Sequence, residues 1–208
     1  GYGHFRSQRD ADRCVSCKAS LAGAQEVRNL YRIENVSTKR AERITANEEE
    51  RVRQGYEMQT TLQFAQIDDR LQMVTTVVAD AAGPILELQY GQTATVWRMN
   101  FGWRRRKEKS IKGFMMNPVT GHWVGGVDDG QGEEPEDAPP DRTPPQRIVP
   151  YVEDHRNILI IHPHHALGVL SASTLTTLQV ALKRGIESIY QLEENELMAE
   201  PLPTRDDR

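Results

Sequence analysis

Apolar residues recur along this chain at two different periods. In "YEMQTTLQFA" they alternate with polar ones, as in a strand with one exposed face. "LQMVTTVV", a turn-like "ADAAGP" and "ILELQYG" predict a β-hairpin, and "TATVWRMNFGW" extends the same sheet. "KGFMM" and "HWVGG" flank "NPVTG", whose Pro118 and Gly121 are turn residues. Antiparallel strands are therefore expected from about 56 to 125. "RNILIIHP" carries a short continuous apolar run, which predicts a strand covered on both faces. The period then changes. Leu175, Leu178, Leu182, Ile186 and Ile189 fall at steps of three and four, the spacing of one face of a helix over about 172–191, with Lys183, Arg184 and Glu187 largely off that face. Gly185 inside this helix suggests close approach to another backbone. "ELMAEPLP" reads as a short returning strand ended by Pro201 and Pro203.

A second, shorter helix is predicted over about 45–54 in "ITANEEERVRQGY". Thr45 and Glu48 form a capping box, Glu49 and Glu50 suit a helix N-terminus, Arg51 and Arg53 suit the last turn, and Gly55 suits the left-handed C′ position. The predicted class is α+β, mostly antiparallel sheet with these two helices. Residues 1–30 are polar and weakly patterned around "CVSC", and 31–126 form the β-rich part. Residues 127–146, "VDDGQGEEPEDAPPDRTPPQ", are acidic and rich in Pro and Gly, a disordered loop or linker, and 147–208 supply a strand-helix-strand part of the same domain.

Composition narrows the function classes. The formal net charge of -4 excludes a globally basic nucleic-acid binder, so any such role must rest on a local patch. No apolar run approaches the roughly 20 residues of a membrane span, and the N-terminus lacks the apolar core of a signal peptide. The chain is expected to be soluble and cytoplasmic. It starts at Gly1 without a methionine and stops at Arg208 within a charged stretch, which suggests a piece of a longer polypeptide.

Three stretches carry candidate chemistry. Cys14 and Cys17, the only two cysteines, have the spacing that aims two sulfurs at one zinc ion, which is half of a tetrahedral site. Completion by His4, His155, His162, His164 or His165, completion by residues upstream of Gly1, and two free thiols all satisfy the spacing. "WRMNFGWRRRKEK" concentrates Arg98, Arg104, Arg105, Arg106, Lys107 and Lys109 beside Trp97, Phe101 and Trp103. Basic groups neutralise phosphates and aromatic faces stack bases, so Arg98, Trp103, Arg104, Arg105, Arg106, Lys107 and Lys109 are the candidate nucleic-acid contacts. The same residues also suit an aggregation-resistant hairpin tip with its tryptophans in the core. Glu153, Asp154 and His155 in "YVEDHRN" suit either an acid–base site or an ion-pair cluster at a sheet edge. No phosphate-cradling loop, nucleophile elbow or His-Glu-x-x-His motif occurs.

Four blocks taken in order, "YRIENVSTKRAERITANEEERVRQGYEMQTTLQFA", "ATVWRMNFGWRRRKEKSIKGFMMNPVTGHW", "VPYVEDHRN" and "LQVALKRGIESIYQLEENELMAEPLPTRDDR", carry a resemblance. They resemble the C-terminal part of large prokaryotic DEAD/DEAH-box superfamily-2 helicases that bear a helicase-associated domain with a cysteine cluster. Related domains occur in a DNA-repair helicase family and in the DISARM anti-phage system, where the domain can sit on a partner of a helicase. The resemblance covers most of the chain from about Tyr31 onward, apart from the acidic segment. It implies that Cys14 and Cys17 are the second half of a zinc ribbon and that a further cysteine cluster follows the "EPLP" block. ATP and magnesium would be bound by motor domains of the parent protein. The implied role is an accessory domain that holds or guides DNA or RNA, with its own motor domains or a helicase partner subunit as protein partner. The rival implication is a docking module that touches no nucleic acid and uses the 172–191 helix or the sheet edges. A hydrolase or nuclease centred on Glu153, Asp154 and His155 is a third reading.

Overall fold

The computed structural model describes residues 27–36, 55–68, 70–124, 143–193 and 196–201. The predicted 45–54 helix, the Cys14–Cys17 pair and most of the acidic segment lie outside the described residues. The observed class is α+β: among the described residues, mostly antiparallel strands in a sheet, with the helix over Ala172–Tyr190 and a 3-10 turn over His165–Leu167. The strands are β1 (Leu30–Arg32), β2 (Tyr56–Gln63), β3 (Gln66–Ile67), β4 (Arg70–Leu71), β5 (Val74–Asp80), β6 (Gly83–Trp103), β7 (Phe114–Met116) and β8 (Gln146–Pro163). The helix α1 spans Ala172–Tyr190. β2 and β5 pair antiparallel with β6, β7 pairs antiparallel with β8, and β1 joins β8 in parallel. β3 and β4 form a separate two-stranded ribbon.

The chain divides into two compact units, residues 1–63 with 95–155 and residues 64–94 with 156–208. In the first unit, the alternation of "VWRMNFGW" sends Trp97, Met99 and Phe101 to a buried face. Met99 and Phe101 pack with Val149, and Val27, Leu30 and Tyr151 close over this cluster. Gly113 sits where a methyl group would strike the Ile148 carbonyl oxygen, and its φ of +83° is one that side chains disfavour. Only glycine lets the segment entering β7 approach β8 this closely, and its N–H donates to the Phe101 carbonyl at 2.9 Å.

The second unit contains the β5–β6 hairpin at the predicted place. Its turn is fixed by Asp80, whose Oδ1 accepts from the N–H groups of Ala82 and Gly83 at 2.8 and 3.1 Å. Phe64 lies over Gly91 so closely that any side chain there would collide with its ring. α1 begins at Ser171, whose side chain caps the Thr174 N–H at 3.1 Å.

Several expectations are corrected. "ILELQYG" and "TATVWRMNFGW" are not two strands but parts of one, the 21-residue β6. The "RNILIIHP" run belongs to the 18-residue β8 and is not covered on both faces, because Ile160 is buried while Leu159 is exposed. Strand β6 and its neighbours leave one side of this stretch in water, which an apolar run alone does not reveal. No residue of α1 is buried, and Ile189, expected on its packed face, is 76% exposed. Among the described residues no other backbone approaches Gly185, and a methyl group there would meet open space. Residues 196–201 form no strand; the segment is held beside α1 by Gln179, whose Nε2 donates to the Ala199 carbonyl at 2.9 Å.

Two substitutions separate these environments. Phe101→Ala should lower unfolding stability by about 3–5 kcal/mol through the cavity it leaves. Gly185→Ala should raise it by about 1 kcal/mol, since it removes a helix-interior glycine and meets no neighbour. Urea unfolding of both variants checks the pair.

Candidate nucleic-acid interface

The basic stretch folds as the tight connection between β6 and β7, within the first unit. Tyr56, the first residue of β2, pairs with Trp103, the last of β6, and their rings stack at 4.2 Å. Beyond Trp103 the chain turns. The Arg104 N–H donates to the Gly55 carbonyl at 2.8 Å, and the Arg104 Nε donates to the Tyr56 carbonyl at 2.8 Å.

Arg106 closes this loop from within. Its Nη1 donates to Glu57 Oε2 at 2.7 Å and to the Trp103 carbonyl at 2.9 Å, while Nη2 donates to the Lys109 carbonyl at 2.9 Å. Only 11% of its side chain is exposed. A guanidinium suits this position because its planar fork carries several donors in fixed directions. Lys109 returns the constraint by donating from Nζ to the Arg104 carbonyl. Lys112 places its ammonium over the Phe101 ring, 4.1 Å from the centroid. Burial holds this ammonium below the ordinary lysine value, with Glu57 opposing the shift and Arg106 reinforcing it. Burial likewise pushes the Tyr56 phenol above its ordinary value.

The predicted contacts thus separate by environment. Arg104, Arg105 and Lys107 are exposed, with the Arg104 Nε bonded to the Tyr56 carbonyl; Arg106 is committed to the loop, and Lys109, although exposed, has its ammonium bonded to the loop backbone. Arg98 sits within β6 opposite Thr60 and is half-buried, and Trp103 is half-buried against Tyr56. Trp97 and Phe101, attractive as stacking surfaces in the sequence, belong to the core; Phe101 is 2% exposed, and the Trp97 indole N–H donates to Glu153 Oε2 at 2.7 Å.

Sequence reasoning missed Trp123. "NPVTGHW" forms a turn in which Asn117 Oδ1 accepts from the N–H groups of Val119 and Thr120 at 2.9 and 3.2 Å. Gly121 then takes a φ of +74°. The turn brings Trp123 opposite Met116, where it is 49% exposed. Its placement just after a Pro/Gly turn was the available signal.

The Glu153, Asp154 and His155 cluster is dispersed along β8. Alternation sends Asp154 to the face opposite Glu153 and His155. Glu153 is engaged by Trp97 and lies 3.5 Å from Arg32 Nη2, the pattern of a structural ion pair. His155 Nδ1 lies 3.4 Å from Thr95 Oγ1. His164 and His165 stack at 4.1 Å, yet no group of three or more His, Cys, Asp or Glu able to hold a metal occurs among the described residues. No helix among the described residues is long and apolar enough to cross a membrane.

No family model, curated protein or solved structure matches this chain.

Arg106→Ala should lower unfolding stability by about 2 kcal/mol, the scale of hydrogen bonds to a charged group, while Arg105→Ala should leave it unchanged within about 0.5 kcal/mol; urea unfolding of both distinguishes the two neighbours. The lowered Lys112 value destabilises the fold at neutral pH, and that penalty fades as pH rises through the lowered value towards 10.5. Lys112→Met should therefore unfold at higher urea than the parent at neutral pH, with the gap narrowing towards pH 10.5. A gap that is constant or widens with pH would contradict this assignment.

Proposed function

We propose that this chain is an accessory domain of an ATP-dependent nucleic-acid helicase and that its β6–β7 loop contacts DNA. The observation that carries the reading is the exposure of Arg104, Arg105 and Lys107 on a loop whose shape is already fixed by Arg106. Cations held on a preformed loop meet phosphates without a large ordering cost, and each contact releases condensed counterions. Glu108 is the only carboxylate from Arg104 to Lys112, so the loop keeps a strong local positive charge in a chain of net charge -4. The resemblance of the four sequence blocks to helicase-associated domains supports the same assignment. In this reading ATP hydrolysis and magnesium binding belong to motor domains of the parent protein, zinc belongs to a ribbon that includes Cys14 and Cys17, and the setting is the cytoplasm. Phage defence and DNA repair are the two processes that the resemblance offers.

A second reading, a docking module for the motor or a helicase partner subunit, is favoured by the surface of the other unit. All seven residues of β5 are exposed, among them Val74, Val77 and Val78, and its only charged residue is Asp80 at the end. Uncharged edge strands of this kind accept a further strand. α1 adds exposed Val180, Ile189 and Tyr190.

Paired Arg104→Ala and Arg105→Ala substitutions should weaken oligonucleotide binding and make the slope of log affinity against log salt shallower by about 1.4 for a single strand. Unchanged affinity and slope would defeat the nucleic-acid reading. Under the docking reading, Val77→Lys should instead disrupt a complex with the motor while sparing oligonucleotide affinity.

A further inference from the structure

We propose that Trp123 is a base-stacking platform and that the nucleic acid taken by this loop is a single strand rather than a duplex. The inference rests on the nucleic-acid reading above and deepens it. Trp97 is buried and Trp103 is stacked on Tyr56, whereas Trp123 keeps about half of its surface in water at 49% exposure. It is also held in place. Its backbone bridges to Met116, the Val124 N–H donates to the Met115 carbonyl at 3.0 Å, and the Asn117 turn fixes the approach from the other side.

The indole is the end of an aromatic row. Trp123 meets Phe114 in a T-shaped contact at 5.7 Å, Phe114 meets Tyr56 at 6.0 Å, and Tyr56 stacks on Trp103 at 4.2 Å. Arg104 and Arg105 follow Trp103 directly, and Arg104 is tied to the Tyr56 carbonyl. A rigid aromatic row therefore joins the exposed indole at one end to exposed guanidinium groups at the other.

That combination selects the ligand by chemistry. Phosphates of either a duplex or a single strand answer the arginines. Only unpaired bases offer free faces to an indole, because duplex bases are already stacked on one another. Stacking on a protein aromatic also tolerates any base, so little sequence preference is expected.

The test measures binding of the full chain to a labelled oligothymidylate and to a duplex of equal length. Trp123→Ala should weaken the oligothymidylate complex about tenfold and change duplex binding less than about twofold. Trp123→Phe should keep most of the affinity and remove most of the tryptophan quenching that accompanies binding, which guards against misfolding of the alanine variant. Full affinity of folded Trp123→Ala for oligothymidylate, an equal loss on both ligands, or quenching unchanged in Trp123→Phe would each overturn the platform. If the Arg104→Ala, Arg105→Ala pair still loses affinity in that event, the basic-loop reading survives alone. If the parent chain binds neither ligand, both readings fall.

Discussion

The guanidinium of Arg106 is the interaction on which the candidate surface depends. It is mostly withdrawn from water, and a charge in that position is tolerated because it is paired and both of its Nη groups donate, although its buried Nε has no partner among the described residues. Glu57 supplies the opposite charge from β2, and the carbonyls of Trp103 and Lys109 accept from the two ends of the guanidinium. One side chain thereby fixes the end of β6, the return of the loop and the first residues of β2. Arg104 and Arg105 face solvent because Arg106 has taken the inward position. A lysine there would supply the charge without the planar fork, so the loop's geometry follows from guanidinium chemistry.

Around this clamp, alternation along β6 builds one face of the first unit's core. Trp97, Met99 and Phe101 point one way from β6 and are buried, and the close passage of Gly113 past Ile148 lets β7 pair with β8. Lys112 lies at the margin of this packing, with its ammonium over the Phe101 ring and partly desolvated. The ring's negative face offsets part of the cost of desolvating this ammonium. Trp123 belongs to the same unit, and the packing that buries Phe101 leaves it in water.

The second unit is organised differently. Among its described residues, buried apolar side chains are few: Phe64, Ala94 and Ile160. β5 buries none of its seven residues, and α1 buries none of its nineteen. An amphipathic helix and an uncharged edge strand with this much exposed apolar surface are what a covered face requires, which is why the docking reading attaches here. In the first unit the exposed features are cationic and aromatic; in the second they are aliphatic.

Local chemistry determined a good part of the structure from the sequence alone. Asp80 and Gly83 marked the β5–β6 turn, Pro118 and Gly121 marked the turn before Trp123, and the three-and-four spacing marked α1, because turn dihedrals and helical periodicity are properties of a few consecutive residues. The α+β class followed from those elements. Tertiary structure alone decided that Arg106 turns inward while Arg105 does not, since two adjacent arginines are identical to any local pattern and only Glu57, far away in sequence, distinguishes them. It also decided which aromatics reach solvent. Alternation groups Trp97 with Phe101 on one face, but whether that face is core or surface depends on what packs against it, and Val149 and Glu153 arrive from another strand. The parallel pairing of β1 with β8 was beyond local reading for the same reason: partners more than a hundred residues apart leave no periodic trace in either segment.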